Sequence, residues 1–235
     1  MPNFINHDIR LHKDEHVYSL QSDPSIEFTS CTSFIKEFFR KFDAPAVAQK
    51  LVTTVPKYAN HTVEELLAEW TAAADHGTAV HEEIEYFISE AKPVSLPKSH
   101  QGANWIKNNL APEKFELYPE VIIFCKELQL AGTIDLIAIH KKSGALLLFD
   151  WKTNKRIDKR AYGNKKGIHE STSDLDDCNF IHYSAQLSLY RYLLEKNYGA
   201  KVHRQIIIHL SETNAKVIDC DYLNKQLNNM LKTLA

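Results

Sequence analysis

The chain has 235 residues, 44% of them apolar, and carries 28 Lys and Arg against 30 Asp and Glu for a formal net charge of −2. That balance suits one large domain, or one domain with a helical cap, able to bury its core without disulfides or structural metals. It excludes a positive field over the whole molecule, so any nucleic-acid partner must be held by a local patch. The longest apolar runs, such as residues 145–149, are too short to span a bilayer, and residues 1–11 have no apolar core of the signal-peptide kind. A soluble, intracellular protein is expected. Cys31, Cys125, Cys178 and Cys220 are scattered and form no C-x-x-C, so reduced, buried thiols are expected.

The first 25 residues are polar and read as an extended arm or a short hairpin. Residues 32–42 have apolar side chains at helical spacing, with Ser30 and Thr32 as N-cap candidates. A second helix is expected over 63–70, capped by Thr62, and a longer one over 72–90, ended by Pro93. The stripe of the longer helix holds Val80, Ile84, Phe87 and Ile88, with Gly77 and His81 on the same side. A short helix near 103–110 follows. Strand patterns then occupy 117–125, 128–140 and 145–152, with 141–144 as a tight connection. Residues 153–179 are polar and without periodicity. A helix over 183–196, stopped by Gly199, strands over 205–210 and 217–220, and a helix over 222–234 complete a mixed α/β chain.

The loop at 141–144 has a chemical consequence. If His140 pairs with Ala145, Asp135 falls opposite Asp150 and Thr133 opposite Lys152. Alternation along a strand then gathers Asp135, Asp150 and Lys152 on one surface. The flanking residues are apolar on both faces of both strands, as in a sheet covered on two sides. Opposed carboxylates in such surroundings repel one another. A divalent cation between them removes that cost, and hard oxygen ligands suit Mg²⁺ or Mn²⁺. The alternative is a strand end at which both acids reach solvent.

Gly132-x-x-Asp135 followed after fourteen residues by Asp150-Trp151-Lys152 resembles the PD-(D/E)XK nuclease signature. Gly77-x-x-x-His81 on a helix and Gln186-x-x-x-Tyr190 on another are similar to motifs of its RecB-type exonuclease branch. The resemblance covers residues 72–199, and more loosely 29–42. It implies a restriction-endonuclease-like α/β core, a mixed central sheet flanked by helices with an N-terminal helical region. One domain over 1–235 is expected, with an arm and helical part at 1–71, a catalytic core at 72–221 and a terminal helix at 222–235. Ile134 stands where the family often has proline.

The resemblance implies that Asp135, Asp150 and the main-chain carbonyl of Trp151 bind the metal. Lys152 would then position or activate the attacking water. It adds His81 as a metal ligand, although a lone histidine on an apolar stripe reads by itself as a hydrogen-bonded core residue. Glu85, one turn on, either orients that histidine or faces solvent, and Glu120 on the preceding strand is a further candidate. Gln186 and Tyr190 share a helical face, and the resemblance puts them on the DNA side. From the residues alone, Tyr183, Tyr190, Tyr192 and Leu193 are packing surface. Lys155, Arg156, Lys159, Arg160, Lys165 and Lys166 follow the catalytic strand with only Asp158 opposing. A phosphate-binding patch is expected there, led by Lys155 and Arg156. Asp174, Asp176 and Asp177 are expected in a loop that orders on substrate.

The reading is a metal-dependent deoxyribonuclease, an exonuclease on DNA ends or single strands in repair, recombination or replication. No base-reading module stands out. The alternative is a catalytically silent DNA-binding or scaffold subunit of a recombination complex. An iron–sulfur nuclease would need a clustered cysteine trio near the C-terminus, which Cys178 and Cys220 do not form, so no such cluster is expected.

Overall fold

The computed structural model describes residues 2–13, 15 and 17–234. Met1, Asp14, His16 and Ala235 lie outside the described residues, and with them parts of the expected arm and final helix. The arm is a hairpin of β1 (Ile9–His12) and β2 (Val17–Leu20), paired antiparallel. Its residues Ile9, Tyr18 and Leu20 pack on Phe124 and Ala131.

A short strand β3 (Thr29–Ser30) runs into α1 (Cys31–Lys36), where Ser30 accepts from the Ser33 amide at 3.0 Å. The helix was expected to reach residue 42 and stops six residues earlier. The carbonyl of Phe38 explains the stop: it accepts from the Ile168 amide and the Thr172 hydroxyl, each at 3.0 Å, in place of a helical partner. Phe38 and Phe39 remain buried, so the apolar spacing marked burial beyond the helix. An unforeseen helix, α2 (Ala44–Thr54), follows, capped by Asp43 with Pro45 in its first turn.

The two helices expected over 63–90 are one, α3 (Val63–Glu90), opened by a reciprocal Thr62–Glu65 capping box and closed by Ala91 in the left-handed region. α4 (Pro97–Asn109) begins six residues before the expected helix. Glu83 of α3 accepts from the Ser95 amide at 3.1 Å, the Leu96 amide at 3.0 Å and the Ser95 hydroxyl, and so caps the start of α4. Burial pushes the Glu83 carboxyl up, but these hydrogen bonds outweigh it and hold it down at about 2, below its ordinary 4.5. The stabilisation is therefore complete above pH 4.5 and is lost as pH falls toward 2. Glu83→Ala is expected to cost about 1 kcal/mol at neutral pH. Thermal melts should show that difference shrinking to nothing in acid.

The sheet contains β4 (Phe115–Cys125), β5 (Leu130–His140), β6 (Leu146–Lys152), β7 (Val202–Leu210) and β8 (Ala215–Cys220). Its order is β3-β5-β6-β7-β8, with β4 on the other edge of β5. β3–β5 and β6–β7 are parallel and the remaining pairs antiparallel. β5 shares one edge between two partners: β3 takes Leu130 and Ala131, and β6 takes residues 136–139. Residues 132–135 lie in the gap between them.

Between β6 and β7 runs α5 (Asn179–Tyr198), stopped by Gly199 at φ 62°, and α6 (Asn224–Leu231) ends the fold. α1, α5 and α6 cover one face of the sheet, through Phe34, Leu187, Leu193 and Leu227 against Ile137, Leu148 and Ile207. α3 and α4 cover the other, through Val80, Ile84 and Ile106 against Leu136, Phe149, Trp151 and Ile208. The central strands are therefore apolar on both sides because both sides are covered. The result is the mixed sheet flanked by helices that the resemblance implies. All four cysteines are buried and free, with burial pushing the Cys220 thiol up to about 11. Among the described residues, no helix is long and apolar enough to cross a membrane.

Candidate active site

The β5–β6 loop closes as the spacing requires. The His140 amide donates to the Ala145 carbonyl at 2.9 Å, and Gly144, at φ 68°, makes the tight return that a Cβ would strain. The register is Leu136 opposite Phe149, so Asp135 and Asp150 come next. The ladder ends before them. The Trp151 amide donates instead to Asp135 Oδ2 at 2.8 Å, so a side chain separates the strands where a direct pair was expected.

Asp150 is 3% exposed and faces Lys152, whose Nζ lies 2.8 Å from Oδ1 and 2.6 Å from Oδ2. Burial pushes the Asp150 carboxyl up, and Lys152 pulls it back only to about 6. Burial alone would lower the Lys152 ammonium, but the Asp150 and Asp135 charges raise it, so it stays protonated. The Oδ2 atom of Asp150 is buried and makes no hydrogen bond of good geometry among the described residues.

Asp135 meets a third carboxylate. Pro119 pairs with Leu136 and Val121 with Ile134, which places Glu120 across from Asp135. Glu120 breaks that rung with φ 47°, a left-handed backbone that a non-glycine residue holds at a cost of about 1–3 kcal/mol. Burial, and then the Asp135 and Glu85 charges, push its carboxyl up to about 9. From α3, His81 brings Nδ1 to 3.4 Å from Asp135 Oδ2. Gly77, one turn earlier, permits this approach, since a Cβ there would lie 2.9 Å from Thr153 Oγ1.

Ligand atoms of His81, Glu120 and Asp135 all lie within 4.8 Å of one another. Two charged carboxylates at that spacing would repel by about 3 kcal/mol at an effective dielectric of about 20, which adds to burial in holding Glu120 protonated when no cation is there. An imidazole and hard oxygens crowded in this way, beside the Asp150 carboxylate, fit a divalent cation. Glu120 thus joins the set more firmly than Asp150, whose carboxylate is held by Lys152. Its signal in the sequence was its place on the strand before the hairpin; the backbone turn that aims it was not legible there.

A family model for the PD-(D/E)XK nuclease superfamily matches residues 36–233. The chain belongs to that superfamily. No curated protein matches it. Among solved structures, the crystal structure of SSO0001 is similar with TM-score 0.39 and 14% identity, over 88% of this chain and 75% of that one. Members of the superfamily are phosphodiester-cleaving nucleases that use divalent metals, and the cluster around Asp135 has the donors for one.

In this PD-(D/E)XK chain, two cavities meet at Gly77 and His81. One, of about 420 Å³, is lined by Glu82, Glu85, Glu120 and Asp135 and by Lys13 and Tyr18 of the hairpin. The other, of about 580 Å³, is lined by Ala72, Lys98, Lys152, Lys155 and Tyr183. The site therefore has an acidic side and a basic side. Glu85 lies on the acidic side, one turn beyond His81.

Gln186 donates to the Tyr190 hydroxyl at 2.8 Å, and both line the acidic cavity. Tyr190 is 3% exposed, and its ring lies over Gly132, where a Cβ would sit 2.5 Å from Cε1. The glycine of one motif is thus explained by the tyrosine of another. Lys155 and Arg156 are exposed, Arg156 pairing with Asp158 at 2.9 Å. The stretch is more neutralised than expected. Asp176 pairs with Lys166 at 2.7 Å and Arg160 at 3.6 Å, and Asp177 with His182 at 3.0 Å and Arg40 at 3.5 Å. Asp176 and Asp177 thus have partners that tie the loop to the fold.

Proposed function

We propose that the chain is a metal-dependent deoxyribonuclease of the RecB-type branch, acting inside the cell as an exonuclease on DNA ends or single strands in repair, recombination or replication. In this reading residues 1–235 form one nuclease domain with its catalytic core at 72–221. The observation that carries it is the meeting of His81, Glu120 and Asp135 within 4.8 Å, beside the Asp150–Lys152 pair.

His81, Glu120 and Asp135 would hold Mg²⁺ or Mn²⁺, with Asp150 and the Trp151 carbonyl completing the set. When bound, the cation supplies Lewis-acid polarisation of the phosphate and the water. Lys152 holds its proton, orients the attacking water and stabilises the charge that grows on the phosphate oxygens. Water adds to phosphorus and gives up a proton, the bond to the leaving oxygen breaks, and the leaving alkoxide takes up a proton in turn, so that a phosphomonoester and an alcohol result. Gln186 sets Tyr190, Tyr190 packs under the strand carrying Asp135, and Lys155 and Arg156 meet the DNA backbone.

The two-sided cavity supports action at ends. Phosphates are attracted along Lys98 and Lys155, whereas Glu82 and Glu85 oppose a backbone that continues past the cation. End-labelled linear DNA and circular DNA, each with Mn²⁺, Mg²⁺ or EDTA, test this directly. Metal-dependent loss of linear DNA with circles spared is expected. Cut circles would make the protein an endonuclease, and binding without cleavage would make it a silent DNA-binding subunit.

A further inference from the structure

Lys152 has two partners of different kinds. Its ammonium touches both oxygens of Asp150, and it also lies 4.6 Å from the centre of the Tyr183 ring. The side chain is only 17% exposed, so this cation–π contact is largely shielded from water. Tyr183 is itself braced. Its hydroxyl accepts from Asn154 Nδ2 at 2.9 Å, and the Asn154 carbonyl accepts from His209 Nε2 at 2.6 Å. His209 is the cross-strand partner of Lys152 on β7, so the brace leaves and rejoins the same rung of the sheet. Asn154 makes these contacts although its own Oδ1 is buried without a hydrogen bond among the described residues.

A flexible lysine stem needs a second anchor if its carboxylate partner has other work. On the proposed function, Asp150 is shared between Lys152 and the cation, so it cannot alone fix the ammonium. We propose that Tyr183 is a positioning residue for Lys152: its ring face holds the ammonium toward the reacting phosphate while Asp150 turns to the metal, and Asn154 with His209 fixes the ring. This rests on the nuclease reading for its catalytic consequence, but the positioning itself is measurable without DNA.

The test compares Tyr183→Leu, Tyr183→Phe and Asn154→Ala with the wild-type protein. Steady-state cleavage of a linear oligonucleotide gives kcat and KM, calorimetry gives Mn²⁺ affinity, and thermal melts report folding. In EDTA, acylation of Lys152 by an N-hydroxysuccinimide ester, read by mass spectrometry, reports how tightly the ammonium is held. Tyr183→Leu is expected to lower kcat about tenfold with KM and Mn²⁺ affinity unchanged, and to speed acylation of Lys152. Tyr183→Phe, which keeps the ring, should retain kcat within about threefold, and Asn154→Ala should fall between the two.

Unchanged kcat together with unchanged acylation in Tyr183→Leu would overturn the proposal. So would a rise in KM alone, which would make Tyr183 a substrate contact, or a kcat loss that only follows the melting midpoint. Should the wild-type protein not cut DNA, the nuclease reading fails, and the acylation rates alone decide whether Tyr183 holds Lys152.

Discussion

Lys152→Met is expected to lower metal-dependent DNA cleavage by about a thousandfold or more, with the fold retained. The ammonium is paired with Asp150 and feels the Asp135 charge, and methionine keeps most of its length without its charge. The same loss is expected for Asp150→Asn. Each single change leaves a buried partner without its ion pair, a situation that typically costs about 3–5 kcal/mol, so some fall in melting midpoint accompanies it. The double variant Asp150→Asn, Lys152→Met removes both charges together and should melt closer to the wild type while remaining inactive. Activity surviving in either single variant, assayed at saturating Mn²⁺, would remove these residues from the mechanism.

Glu120→Gln should act in opposite directions with and without metal. In EDTA it replaces a carboxyl that must take up a proton to be buried opposite Asp135, so at neutral pH the melting midpoint is expected to rise. In Mn²⁺ it removes a ligand, so the stabilisation gained on adding metal should shrink. A cation at a hundred times its dissociation constant stabilises by about 2.7 kcal/mol, which for a domain of this size is about 5–10 °C in midpoint. A variant that keeps the full metal-induced shift would take Glu120 out of the cation site. Asp135→Asn is the control, since it removes the residue shared by His81, Glu120 and the Trp151 amide.

Much of this arrangement was legible because the relevant rules are local. The four-residue loop at 141–144 and strand alternation predict the register that brings Asp135 beside Asp150, and helical spacing predicts that His81 faces inward. What was not legible depended on contacts made at a distance. The strands part at Asp135 because the Trp151 amide finds a side chain rather than a backbone carbonyl. α1 stops early because the loop near Ile168 takes the Phe38 carbonyl. The helices expected on either side of Thr71 are one because nothing in that stretch breaks a helix and the capping box at Thr62 starts it. Glu120 owes its aim to a left-handed backbone angle, which no glycine announced. Tyr183, read by spacing as packing surface, also presents its ring face to the Lys152 ammonium.

The most direct measurement is a crystal structure of the protein in Mn²⁺ with anomalous diffraction data. The account predicts one strong anomalous peak among His81, Glu120 and Asp135, within bonding distance of all three. A map with no peak there, or with manganese held elsewhere in the fold, would contradict it.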